Sequence, residues 1–80
     1  MHITILGPGC VNCHTLEKRT REALAGLGLH AEVTAVTDYA AIAGYGVLST
    51  PALVVDDRVV LTGHVPTVAR IREILTADAG

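Results

Sequence analysis

Large aromatic side chains are almost missing from this sequence: 80 residues include no Trp, no Phe and only two Tyr. A core built around stacked rings is therefore excluded, and Ala, Val, Leu and Ile must fill it. Half of the residues are hydrophobic, so the material is there. Runs rich in Val and Ile that alternate with Ala/Leu segments suit an α/β fold. Basic residues are also few. Six Lys and Arg against eight Asp and Glu leave a net charge of −2, which argues against a broad nucleic-acid-binding face. No run approaches the ~20 apolar residues that cross a bilayer, so no membrane span is expected. The amino terminus, Met1-His2-Ile3-Thr4-Ile5-Leu6, lacks the charged n-region and long apolar stretch of a signal peptide. The expected compartment is the cytoplasm. A chain this short buries roughly 60–70% of its unfolded surface and makes one domain, residues 1–80. It shows no internal repeat, linker or low-complexity segment.

Cysteine is scarce as well, and its placement is the strongest signal present. The only two, Cys10 and Cys13, follow an apolar run and a Gly7-Pro8-Gly9 turn. In a reducing compartment a lone pair is catalytic or metal-binding rather than a structural staple. A C-x-x-C between a strand and a helix is a redox signal. A helix N-terminus carries unpaired N–H groups and roughly +0.5 of an elementary charge. Sulfur placed there is favoured as thiolate, the nucleophilic form. Residues three apart share a helix face, which brings the pair within the roughly 4.4–6.8 Å between Cα atoms that a disulfide needs. In such a couple Cys10, nearer the turn, attacks a substrate disulfide, and Cys13, one turn deeper, resolves the mixed disulfide.

Around this stretch the chain reads as β-α-β-α-β-β-α. Ile3 to Leu6 form a first strand that is apolar on both faces. Val11 to Leu27 form a helix whose apolar stripe is Leu16, Thr20, Ala23, Leu24 and Leu27, with Glu17, Lys18, Arg19, Arg21 and Glu22 on the solvent side. Gly26 and Gly28 end it. Ala31 to Val36 alternate as a second strand, parallel to the first because a helix connects them. Thr37 caps a short helix from Asp38 to Gly44, with Ile42 facing inward. Ala52–Val55 and Arg58–Thr62 flank an Asp56-Asp57 turn as a hairpin. Pro66 opens a closing helix with Val68, Ile71, Ile74 and Leu75 inward, and the residues after Leu75 are expected to fray. Tyr39 and Tyr45 read as core residues.

Other chemistries compete for the same cysteines. Two thiolates hold Cu(I) or Zn, with His14 or His64 in reach as a further ligand, so a soft-metal module of the chaperone type is the alternative. Those modules run β-α-β-β-α-β and end on a strand, whereas this chain ends on a helix. A sensor domain using the pair as a regulatory disulfide is a second alternative. Cys10-Val11-Asn12-Cys13-His14 also fits the C-x-x-C-H haem pattern, but a haem needs a large apolar pocket and the only Met is Met1. His2 and His30 carry no pattern.

Thr50-Pro51 stands directly before the third strand. Alone it reads as an ordinary trans proline at a strand entrance. Beside a C-x-x-C in this strand order a cis bond is expected, with the Thr50 backbone turned towards Cys10 so that an extended substrate pairs with it. Val11, exposed between the cysteines, suits contact with a partner. His64, in the loop after the fourth strand, is within possible approach of the site, and Lys18 and Arg21 belong to a solvated helix face.

Gly9-Cys10-Val11-Asn12-Cys13 after strand one, Ser49-Thr50-Pro51 before strand three and Gly63 after strand four resemble the small thioredoxin/glutaredoxin-like redox proteins of bacteria and archaea. Gly46 to Val54 and Gly63-His64-Val65-Pro66 are similar to their minimal "redox-active disulfide" members. The resemblance spans essentially the whole chain. It implies a minimal thioredoxin-like fold, with a four-stranded mixed sheet and three helices, and with Cys10 as nucleophile, Cys13 as resolving thiol and Pro51 as a cis proline. Thr50, Pro51 and Val11 would bind substrate. Thioredoxins place an aromatic residue before the first cysteine and Gly-Pro between the two; here Gly9 precedes and Val11-Asn12 lies between. No acidic residue stands at an obvious buried position behind the cysteines, where thioredoxins use one for proton transfer. The glutaredoxin glutathione-binding segments are only partly matched by Thr50-Pro51 and Gly63-His64. The expected function is thiol–disulfide exchange by a monomer with no bound cofactor or metal. Its substrates would be disulfides in proteins or small molecules, and a thioredoxin-reductase-like enzyme or a thiol pool would restore the dithiol.

Overall fold

The first strand is buried from Ile3 through Leu6, and the rest of the molecule is layered on its two faces. In the computed structural model, which describes residues 1–79, the order is β1 (His2–Leu6), α1 (Val11–Leu27), β2 (Glu32–Val36), α2 (Tyr39–Gly44), β3 (Ala52–Val55), β4 (Arg58–Thr62) and α3 (Val68–Ala79). The strands lie in the order β2-β1-β3-β4. β1 runs parallel to β2, as the α1 crossover demands, and antiparallel to β3; β3 and β4 form the hairpin. The sheet is mixed and the architecture is the expected thioredoxin-like α/β one. An irregularity at Leu53/Val54 shifts the β3–β4 register by one residue.

Side chains alternate across a strand, so the two faces receive different residues. Ile3, Ile5, Leu53 and Val55 pack with Leu16, Ala23 and Leu24 of α1 and with Ile71 and Leu75 of α3. Leu6, Ala52 and Val54 pack on the other face with Ile42 of α2, joined by the half-buried Tyr45 and Val47. Burying aliphatic side chains of this size contributes roughly 1.5–3 kcal/mol each, so the larger α1/α3 face carries most of the apolar stabilisation.

α1 begins and ends where the sequence places it. Its end is a left-handed cap: Gly28 takes φ +68°, its N–H reaches the Ala25 carbonyl, and the Leu29 N–H reaches Leu24 at 3.0 Å. Several local expectations are corrected. Asp38, not Thr37, caps α2, because its Oδ2 accepts the Ala41 N–H at 2.9 Å. Thr67 caps α3, accepting the Arg70 N–H at 3.1 Å, so Pro66 precedes the helix rather than opening it. α3 continues to Ala79 instead of fraying after Leu75. Leu27, on the last turn of α1, is exposed rather than part of the buried stripe. Tyr39 is 74% exposed and is not a core residue. Arg19 is not simply solvated: it is half-buried and its Nη1 donates to the Pro66 carbonyl at 3.0 Å, tying α1 to the chain entering α3.

Candidate active site

β1 delivers the chain to the site. The Gly7 N–H still pairs with the Val36 carbonyl at 3.0 Å, after which Pro8 and Gly9 turn the backbone into α1. Cys10 is the helix N-cap, with extended backbone (φ −72°, ψ 167°). Oxygen side chains usually fill that role by accepting a first-turn N–H; here the Cys10 sulfur accepts the Cys13 N–H at 3.3 Å. The Cys10 carbonyl takes the next helical bond, from the His14 N–H at 3.1 Å. No acidic side chain lies in the first turn to offset the positive helix end at the sulfur.

Cys10 and Cys13 are joined as a disulfide with their Cα atoms 5.1 Å apart. Their surroundings differ sharply. Cys10 is exposed beside Val11, itself 80% exposed, whereas Cys13 is only 5% exposed. Sequence reasoning read Gly7 as a turn residue, but its larger role is space. A Cβ built on Gly7 would occupy the position of the Cys13 sulfur and lie 3.1 Å from the Cys13 Cβ and 3.9 Å from the Pro51 Cα. The missing side chain lets strand, cysteine and proline loop converge. The Thr50–Pro51 peptide bond is cis. Pro51 is buried, Thr50 is exposed, and the Pro51 carbonyl accepts the Gly63 N–H at 2.9 Å, which ties this loop to the end of β4.

Cys10, Cys13, Gly7 and Pro51 are thus brought together, with Val11 and Thr50 on the surface. His64 is exposed, and its Nδ1 lies 3.3 Å from the Thr62 carbonyl. Glu17 was placed on the solvent side by helical periodicity; it is instead half-buried and lines a small cavity with Cys13. The signal that would have found it is its spacing of four residues from Cys13. Among the described residues no group of three or more His, Cys, Asp or Glu side chains is arranged to hold a metal ion. No helix among them is long and apolar enough to cross a membrane.

Known proteins carry the same pattern. A family model of the thioredoxin domain matches residues 1–76. A thioredoxin of Methanothermobacter thermautotrophicus is 38% identical over 76 residues, which cover 95% of this chain and 99% of that protein. A thioredoxin of Methanocaldococcus jannaschii is 38% identical over 73 residues, covering 91% of this chain and 84% of that protein. The chain belongs to the thioredoxin family. With a bonded C-x-x-C pair at the start of α1, this thioredoxin-family chain is a thiol–disulfide oxidoreductase, which acts on disulfides and depends on a reductant.

Proposed function

We propose that this chain reduces disulfides through Cys10, with Cys13 as the resolving thiol, acting as a single cytoplasmic domain, monomeric and without a bound cofactor. The Cys10 thiolate attacks one sulfur of the substrate disulfide, and the other sulfur leaves as a thiol after taking a proton. Cys13 then attacks Cys10, its proton leaves, and the second substrate sulfur departs. Two electrons pass to the substrate, and the Cys10–Cys13 disulfide remains. A flavin- and nicotinamide-dependent reductase or a small-molecule thiol returns the dithiol.

The observation that carries this assignment is the asymmetry of the pair: Cys10 is exposed and its sulfur accepts a helix N–H, while Cys13 is buried. Attack requires access as well as thiolate character. Val11, Thr50 and Pro51 are the proposed substrate contacts: Val11 directly follows Cys10 and is exposed, Thr50 is exposed, and Pro51 lies where Gly7 and Cys13 converge. The test is a pair of variants assayed for insulin reduction. Cys10→Ser is expected to abolish turnover and Cys13→Ser to accumulate a mixed disulfide on Cys10. Full activity in Cys10→Ser, or adducts on Cys13 in the wild-type protein, would overturn the roles.

A further inference from the structure

Resting on that assignment, we infer that Arg19 is a positioning residue for substrate binding: by holding the Pro66 carbonyl it sets where the Thr50-Pro51 loop stands relative to the cysteine pair. An extended substrate must reach Cys10 with its sulfur while its backbone lies along Thr50. The cysteines belong to α1 and the loop belongs to the start of β3, so something has to fix one against the other.

The loop is held from the β4 side. Beyond the β3–β4 ladder the Gly63 N–H donates to the Pro51 carbonyl at 2.9 Å. A Cβ built on Gly63 would stand 3.4 Å from the Ser49 Cβ, so this backbone lies directly against the residues that precede Pro51. Three residues further on, the Pro66 carbonyl accepts the Arg19 Nη1–H at 3.0 Å. Arg19 comes from α1 itself, six residues after Cys13. Cysteine helix, Arg19, Pro66, Gly63 and Pro51 therefore form a closed circuit, which returns to Cys13 where Pro51 approaches the Gly7 position.

Within the circuit the Arg19 contact has its own part. Val65 packs against the α1/α3 core and Pro66 is buried, so apolar contacts keep this strap on the molecule. Apolar attraction has no direction, so it does not by itself fix how far the strap slides along α1. A guanidinium-to-carbonyl hydrogen bond has a set length and angle, and its charge makes it stronger than a neutral one. On the other side of Pro66 the Thr67 hydroxyl caps α3, accepting the Arg70 N–H at 3.1 Å, which fixes the strap to a second helix. Six residues span roughly 9 Å of helix, so Arg19 acts on substrate through the backbone and not by touching the reacting sulfurs.

Two disulfides with one leaving group test this. One is the symmetric disulfide of thionitrobenzoate. The other joins thionitrobenzoate to the cysteine of a peptide that extends several residues to each side. In both, the Cys10 thiolate attacks and coloured thionitrobenzoate leaves with the electron pair, so single turnovers of the reduced protein are read directly. In Arg19→Met the half-saturating concentration of the peptide disulfide should rise about threefold to tenfold, the range of couplings carried by such a chain of contacts. The limiting rate with the peptide, and the rate with the symmetric disulfide, should stay at wild-type values. Arg19→Lys, which still presents a charged donor, should fall between the two. Arg21→Met, which removes an exposed cation of the same helix, should behave as wild type and so separates position from charge. If Arg19→Met does not fold, a rise in Arg19→Lys confined to the peptide disulfide supports the inference. A half-saturating concentration unchanged in every folded Arg19 variant, an equal loss with both disulfides, or the same rise in Arg21→Met would overturn it. A reduced wild-type protein that releases no thionitrobenzoate through Cys10 would instead overturn the proposed function.

Discussion

The two ends of the central sheet are both shaped by unusual backbone, and only one exposes a reactive atom. Where β1, β3 and β4 meet at Leu6, Ala52 and Thr62, the chain continues into Gly7, back from Pro51 and on into Gly63. There the absent Gly7 side chain makes room for the Cys13 sulfur, and the Cys10 sulfur stands open at a helix end. At the opposite end Asp56 and Asp57 both adopt left-handed backbone, φ +48° and +67°. That conformation gives the two-residue hairpin the twist of its strands. The turn is tied to the start of β1 and leaves no reactive group open: the Asp56 N–H donates to the His2 carbonyl at 2.9 Å, and the Asp56 Oδ1 accepts the His2 N–H at 2.8 Å. Irregular backbone therefore points to function here only where it leaves a reactive group uncovered. The far end spends its irregularity on connecting strands.

Substitutions at the two ends sharpen the contrast. The largest effect is expected from Gly7→Ala. The new methyl must displace the Cys13 side chain from a site bounded by backbone, and overpacking of this kind costs about 1–3 kcal/mol. Urea unfolding should show that loss, and insulin reduction should fall at least about tenfold because the pair no longer sits in register. Retained activity with a normal disulfide would mean that the convergence at Gly7 is not needed. Next in size is Asp56→Ala at the far end. It removes the hydrogen bond to the β1 amino end and places Ala at positive φ, for a loss of about 1–2 kcal/mol. Disulfide exchange by the folded protein should be unchanged; a change in its rate would show that the two ends are coupled.

Much of this was legible in the sequence. The Gly-Pro-Gly turn and Gly28 bracket α1 at Val11–Leu27, and two turn residues between Val-rich runs give the hairpin. The pairing of an exposed with a buried cysteine follows from helix geometry once the N-terminus is placed. The failures share a cause: local pattern does not choose between neighbours that offer the same chemistry. Thr37 and Asp38 both suit a cap, and the path of the chain out of β2 selects Asp38. Pro66 and Thr67 compete in the same way, and the hydroxyl of Thr67 reaches the open N–H. Glu17 and Arg19 look like surface residues by periodicity. How deeply α1 sits against the β2 end and against the approach to α3 is a tertiary fact, and it half-buries both. The close approach at Gly7 is likewise set by three segments meeting, and no single one of them announces it.

The smallest effect has the opposite sign. Asp57, at φ +67°, holds the left-handed conformation, and among the described contacts it carries no hydrogen bond comparable to that of Asp56. A non-glycine residue in that region costs about 1–2 kcal/mol, less for Asp than for most. Glycine removes this cost but loses about 0.4–1 kcal/mol through the greater freedom of the unfolded chain. The balance favours Asp57→Gly by roughly 0.5 kcal/mol, a rise of about 2–4 °C in Tm for a chain of this size. Asp56→Gly should not share the gain, since it gives up the bond to His2. Thermal unfolding of the two glycine variants side by side tests the reasoning. Equal shifts would mean that the left-handed backbone alone governs the turn, whereas a gain confined to position 57, with exchange activity untouched, would separate the scaffold end of the sheet from its reactive end.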